Sequence, residues 1–73
     1  MYHFDLTQLH AYLEVCNAGS ISAAAPALFR STSAISEQLR KLEDAIGVEL
    51  LIRSKQGVHP TPAGERLLRH AKQ

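Results

Sequence analysis

The stretch Ser31 to Gly47, STSAISEQLRKLEDAIG, constrains the fold more than any other part of this chain. Both of its ends are marked for a helix. Ser31 supplies an N-cap hydroxyl for an amide that the first turn leaves unpaired. Gly47 follows the last apolar residue, where a left-handed C-cap costs glycine least. Between them Ile35, Leu39, Leu42 and Ile46 recur at helical spacing and form one apolar stripe. Each stripe residue contributes roughly 1.5–3 kcal/mol when buried, so these four are expected in the core. The opposite face carries Ser33, Ser36, Glu37, Arg40, Lys41 and Asp44. Short hydroxyls near a helix start can approach base edges, and cations behind them can reach phosphates. The same pattern also suits the solvated face of an ordinary helix, so the rest of the chain has to decide.

Seventy-three residues make one small domain. A chain of this length buries only about 60% of its unfolded surface, so its core has little to spare. No apolar run is long enough to span a membrane, and the start, MYHFDLTQL, lacks the basic and apolar regions of a secretory signal. A single cysteine, Cys16, excludes an intrachain disulfide, and its position on an apolar stripe reads as a small core residue. His3, His10, His59 and His70 are scattered without metal-ligand spacing. There is no G-x-S-x-G nucleophile elbow and no G-x-x-x-x-G-K phosphate loop. Neither a metal, a cofactor nor an enzymatic activity is expected.

The formal net charge of +1 is small, but its distribution is uneven. No Lys or Arg precedes Arg30, whereas Asp5 and Glu14 do. From Arg30 onward eight basic residues stand against five acidic ones. A domain polarised in this way can present one anion-binding face despite its small total.

Upstream, Asp5 or Thr7 is expected to start a first helix with a stripe of Leu6, Leu9, Leu13 and Cys16, broadened by Tyr12 and Val15. Gly19 ends it, and Ser20 or Ser22 caps the next helix, whose short apolar face is Ile21, Ala24, Ala25 and Leu28. Pro26 lies inside that helix and removes one hydrogen bond. Phe29, Arg30 and Ser31 make a tight connection into the helix described first, which gives a helix-turn-helix pattern. Downstream, Val48, Leu50, Leu51 and Ile52 form a β-prone run ending at Arg53. Ser54, Lys55, Gln56 and Gly57 read as a hairpin tip, and Val58 to Pro60 as the return strand. Thr61-Pro62 marks a last helix, with Thr as N-cap and Pro at the first helical position. Ala63, Leu67 and Ala71 fall on one face of it, with Leu68 beside them. The helical pattern is still running at Lys72 and Gln73, and is expected to continue in a longer protein. The reading is mainly α: a winged helix-turn-helix with a three-helix core, a small β-hairpin wing and the start of a linker helix. Residues 1–60 form the winged domain and 61–73 the linker start.

Several motifs occur in order along this pattern: Gly19-Ser20 followed by Ala24-Ala25, Ser-Ala-Ile-Ser at 33–36, and Leu42-Glu43. Gly-Val-x-Leu-Leu-x-Arg at 47–53 and Thr-Pro-Ala-Gly at 61–64 follow. Each alone is weak; as an ordered set the chain resembles the N-terminal domain of a LysR-type transcriptional regulator, from about Leu6 to the end. The resemblance implies a cytoplasmic protein that binds double-stranded DNA, and a longer natural protein whose effector-binding domain is absent from this chain. It also implies a homodimer through the helix starting at Pro62. The residues expected to meet DNA are Ser31, Thr32, Ser33, Ser36, Glu37, Arg40 and Lys41 on the recognition helix, and Arg53, Lys55 and His59 on the wing. His59 reads equally as an exposed loop histidine.

Four positions depart from the family pattern. Relatives usually carry Gln-Pro where this chain has Thr32-Ser33, and so lose no long amide able to bind adenine bidentately. They often carry Arg in place of Glu37, and a helix former in place of Pro26. A carboxylate at 37 can pair with Lys41, four residues on, but that pair is worth only about 0.2–0.5 kcal/mol, so Glu37 is expected to accept from a cytosine amino group and to select a C·G pair. A winged-helix module used only for protein contact is the alternative. The two readings separate by salt, because bound phosphates release counterions and make DNA binding weaken steeply as salt rises.

Overall fold

The computed structural model describes residues 6–71. In chain order the elements are α1 (Leu6–Ala18), α2 (Ile21–Leu28), α3 (Thr32–Ile46), β1 (Leu51–Ser54), β2 (Gly57–Pro60) and α4 (Pro62–Ala71). Asp5, Lys72 and Gln73 lie outside the described residues, as does the side chain of Ala71.

The helix boundaries follow the capping chemistry. Ser20 Oγ accepts from the Ala23 amide at 3.0 Å and Ser31 Oγ from the Ala34 amide at 3.1 Å, so both helices of the helix-turn-helix begin on a serine. Gly19 (φ +85°) and Gly47 (φ +88°) close α1 and α3 in the left-handed region that glycine adopts without strain. Phe29 does the same for α2 at φ +53°, without glycine's freedom. Thr61 Oγ1 accepts from the Gly64 amide at 3.0 Å and donates to the Glu49 carbonyl at 2.7 Å. It therefore caps α4 and ties it to the loop before β1. Pro26 interrupts nothing: α2 runs through it. The carbonyl deprived of a donor is that of Ser22, an exposed residue that water can serve.

The core is built from Tyr12 and Val15 of α1, Ala24 of α2, Ile35, Leu39 and Leu42 of α3, and Leu50, Leu51 and Val58 of the wing. Ile46 completes the α3 stripe half-buried. On α1 the buried face differs from the leucine stripe. Leu6 is 80% exposed, while Ala11, Tyr12 and Val15 are fully covered. The helix presents Tyr12 to the core because its hydroxyl finds an acceptor there, donating to the Leu50 carbonyl at 2.8 Å. Leu13 and Cys16 are left half-buried along a groove shared with Pro60 and Leu68 of the wing and α4.

The wing is a two-stranded antiparallel hairpin with Leu51 opposite Pro60, Ile52 opposite His59, Arg53 opposite Val58 and Ser54 opposite Gly57. The tip is therefore Lys55-Gln56, and Ser54 and Gly57 belong to the strands. The apolar run from Val48 is strand only from Leu51. Leu50 is excluded because its backbone is engaged elsewhere. Its amide donates to Glu43 Oε2 at 2.7 Å, and its carbonyl accepts from Tyr12 and from the Thr61 amide at 3.2 Å. The Val58 amide donates to the Gly19 carbonyl at 3.0 Å, which docks the wing on the turn between α1 and α2.

Candidate nucleic-acid interface

α3 and the wing enclose one shallow surface groove, lined by Thr32, Ser33, Ser36, Glu37, Arg40, Glu43 and Arg53. The helix contributes the floor because its stripe of Ile35, Leu39 and Leu42 is buried, which turns the serine and charged face outward. Thr32 and Ser33 are exposed in the first turn, and Ser36 is half-buried one turn on. Ser31 flanks the groove as N-cap. Its oxygen is committed to the Ala34 amide, while its hydroxyl proton stays available to an external acceptor.

Glu37 and Arg40 follow, both exposed. Within the chain Glu37 pairs with Arg40 rather than with Lys41. Arg40 Nε donates to Glu37 Oε1 at 2.7 Å, and Nη2 donates to Oε2 at 3.0 Å. The planar fork of arginine can engage both carboxylate oxygens at once, which an ammonium cannot. The hydrogen bond from Arg40 holds the Glu37 carboxyl below its ordinary pKa, and the same contact raises that of Arg40. Arg40 also donates from Nη1 to Asp44 at 2.8 Å. Lys41 is exposed beside this network and does not line the groove.

The hairpin register divides the wing residues. Directly opposed residues share a face of the ladder. Arg53 therefore lies on the face of Leu51 and Val58, which turns toward the body of the domain and brings Arg53 to the α3 groove. His59 pairs with Ile52 on the outer face, and Lys55 stands at the tip. All three basic wing residues are exposed, but only Arg53 joins the recognition-helix residues.

Glu43 lines the groove without having been singled out from the sequence. Its Oε2 accepts from the Leu50 and Leu51 amides at 2.7 and 3.3 Å, so this carboxylate holds the start of β1 against α3. The sequence signal was the Leu42-Glu43 pair next to the apolar stripe, which marks the residue but gives no partner.

Among the described residues no helix is long and apolar enough to cross a membrane. The model of the family described as "Bacterial regulatory helix-turn-helix protein, lysR family" matches residues 6–65. The chain is 43% identical to the HTH-type transcriptional regulator PtxR of Pseudomonas aeruginosa over 65 residues, which cover 89% of this chain and 21% of that protein. It thus spans about a fifth of the length of such curated relatives. The DNA-binding domain of CbnR, solved in complex with DNA, superposes with a TM-score of 0.89 at 38% identity, covering 94% of this chain and 79% of that one. The corresponding domain of BenM, solved on benA site 1 DNA, gives a TM-score of 0.88 at 29% identity over 94% of this chain and 80% of that one. With its capped helix-turn-helix, docked hairpin and matched length, the chain belongs to the lysR family of bacterial regulatory helix-turn-helix proteins.

Proposed function

We propose that this domain binds duplex DNA sequence-specifically, with α3 in the major groove and the wing against the backbone or the adjacent minor groove. The observation that carries this reading is the single groove in which Thr32, Ser33, Ser36 and Arg40 of α3 meet Arg53 of the wing. The likeness to two domains solved on DNA supports it. In this reading Ser31, Thr32, Ser33 and Ser36 approach base edges and phosphates from the helix start. There the unpaired first-turn amides also favour an anion. Glu37 and Arg40 lie deeper along the helix. Lys41, Arg53, Lys55 and His59 face the sugar-phosphate backbone, Arg53 from beside α3 and His59 from the outer face of the hairpin.

The role we infer for residues 61–73 is the start of a linker helix that pairs with its counterpart in a homodimer. Leu67 and Leu68 of α4 remain half-buried, so they retain apolar surface for a partner. A dimer of this kind reads two half-sites related by a two-fold axis. Such a protein works as the DNA-reading part of a longer cytoplasmic transcriptional regulator.

The test is a titration of labelled random and selected duplexes over a range of salt. Binding should weaken steeply with salt, and Arg53→Ala should lower affinity for most sequences while flattening the slope by about one counterion. Equal binding to duplex DNA and to a neutral polymer at low salt would leave only the protein-contact module.

A further inference from the structure

The exposed face of α3 carries a three-membered ion cluster that any DNA in this groove has to meet. The Arg40 guanidinium is bracketed along its own helix by Glu37 and Asp44. Nε and Nη2 donate to the two oxygens of Glu37 at 2.7 and 3.0 Å, and Nη1 donates to Asp44 Oδ2 at 2.8 Å. A guanidinium has five N–H donors. After these three bonds, one N–H remains on each terminal nitrogen. The spacings i,i+3 and i,i+4 place both carboxylates on the helical face of Arg40, so a side chain that is ordinarily mobile is held in one orientation.

Charge decides what this held fork suits. Two carboxylates around one guanidinium leave the cluster net negative. A phosphate approaching it meets a cation already neutralised, with a surplus anion beside it. A guanine edge is neutral and offers two acceptors, O6 and N7, to a bidentate arginine. Both Glu37 oxygens accept from Arg40, so a cytosine amino group would have to share a carboxylate already engaged with the guanidinium.

We propose that Arg40 is a specificity-determining residue that reads a guanine in the major groove, with Glu37 and Asp44 as positioning residues that orient its fork. The inference rests on the reading of α3 as the groove helix. Glu37 then acts on specificity through Arg40, and the carboxylate that departs from the family pattern has a role without touching a base.

The test starts from duplexes selected by the 73-residue protein and replaces each selected guanine in turn by 7-deazaguanine, which lacks the N7 acceptor. At one position the wild-type protein should lose affinity roughly tenfold or more. Arg40→Ala should bind the normal and deaza duplexes equally at that position. Glu37→Gln should weaken the guanine preference in the wild-type background and leave it unchanged in the Arg40→Ala background, a coupling that a surface charge acting alone would not give. No loss for wild type at any deazaguanine would overturn the proposal, and that arm does not depend on any variant folding. A uniform loss across all sequences in Arg40→Ala would make Arg40 a phosphate contact and overturn it equally. Failure to bind any duplex at low salt would overturn the DNA reading as well; binding with a sequence preference indifferent to Arg40 overturns this inference alone.

Discussion

At Gly64 one methyl group would decide whether the domain packs. A Cβ built there overlaps the Tyr12 hydroxyl and the Leu50 carbonyl, two groups that are hydrogen-bonded to each other. Neither can yield without breaking that bond, so Gly64→Ala should destabilise by about 1–3 kcal/mol, the usual cost of overpacking. The denaturant midpoint should fall while the slope stays constant. Tyr12→Phe is gentler, because the Leu50 carbonyl keeps the Thr61 amide as a donor. It should cost about 1 kcal/mol. The two proteins should diverge further in alkali. Burial, then the neighbouring Cys16, raise the Tyr12 phenol well above its ordinary pKa of 10.0. Above that value the unfolded chain loses a proton that the folded chain keeps. Its contribution to stability is therefore complete below pH 10.0 and declines as pH rises, by at most about 1.4 kcal/mol per pH unit. Unfolding curves at about pH 9 and pH 11 should show a drop for wild type that is smaller in Tyr12→Phe. Equal drops would show that Tyr12 ionises as freely in the folded chain as in the unfolded one.

At the scale of the element, α3 depends on its caps. Ser31→Ala removes the side-chain acceptor of the Ala34 amide and should cost about 1 kcal/mol, seen as a lower melting temperature with an unchanged helical spectrum. This helix was legible in the sequence because everything that defines it is local: the cap, the stripe and Gly47 lie within one run of chain. The same holds for Ser20, Thr61 and Pro62. The first helix was half legible. Its leucines obey the helical period, but period alone weights Leu6 and Tyr12 alike, and only the facing acceptor on Leu50 tells which of them turns inward. The candidate site divides in the same way. The outward serines and charges of α3 follow from its stripe. The partner of Glu37 does not, because Arg40 and Lys41 are both within its reach, and the choice rests on fork geometry. Glu43 and Gly64 were visible only as letters in a motif, since their partners arrive from distant chain.

For the whole molecule, the wing is part of the folding unit. It supplies Leu50, Leu51 and Val58 to the core, and Tyr12 reaches across 38 residues of chain to hold its entry. A glycine at 57 lets it approach the Gly19 carbonyl so closely that any side chain there would collide. The Val58 amide is held not by its own hairpin but by that carbonyl, in the turn between α1 and α2. Such a proton meets solvent when the wing parts from the turn between α1 and α2. In deuterated buffer the Val58 amide should therefore exchange as slowly as the amides of central α3, while Lys55 at the tip exchanges at once. A fast Val58 would mean that the hairpin opens by itself, as a hinged flap. A slow one would mean that its arm is clamped to the body through every lesser fluctuation, so that a protein searching along DNA carries its wing already set.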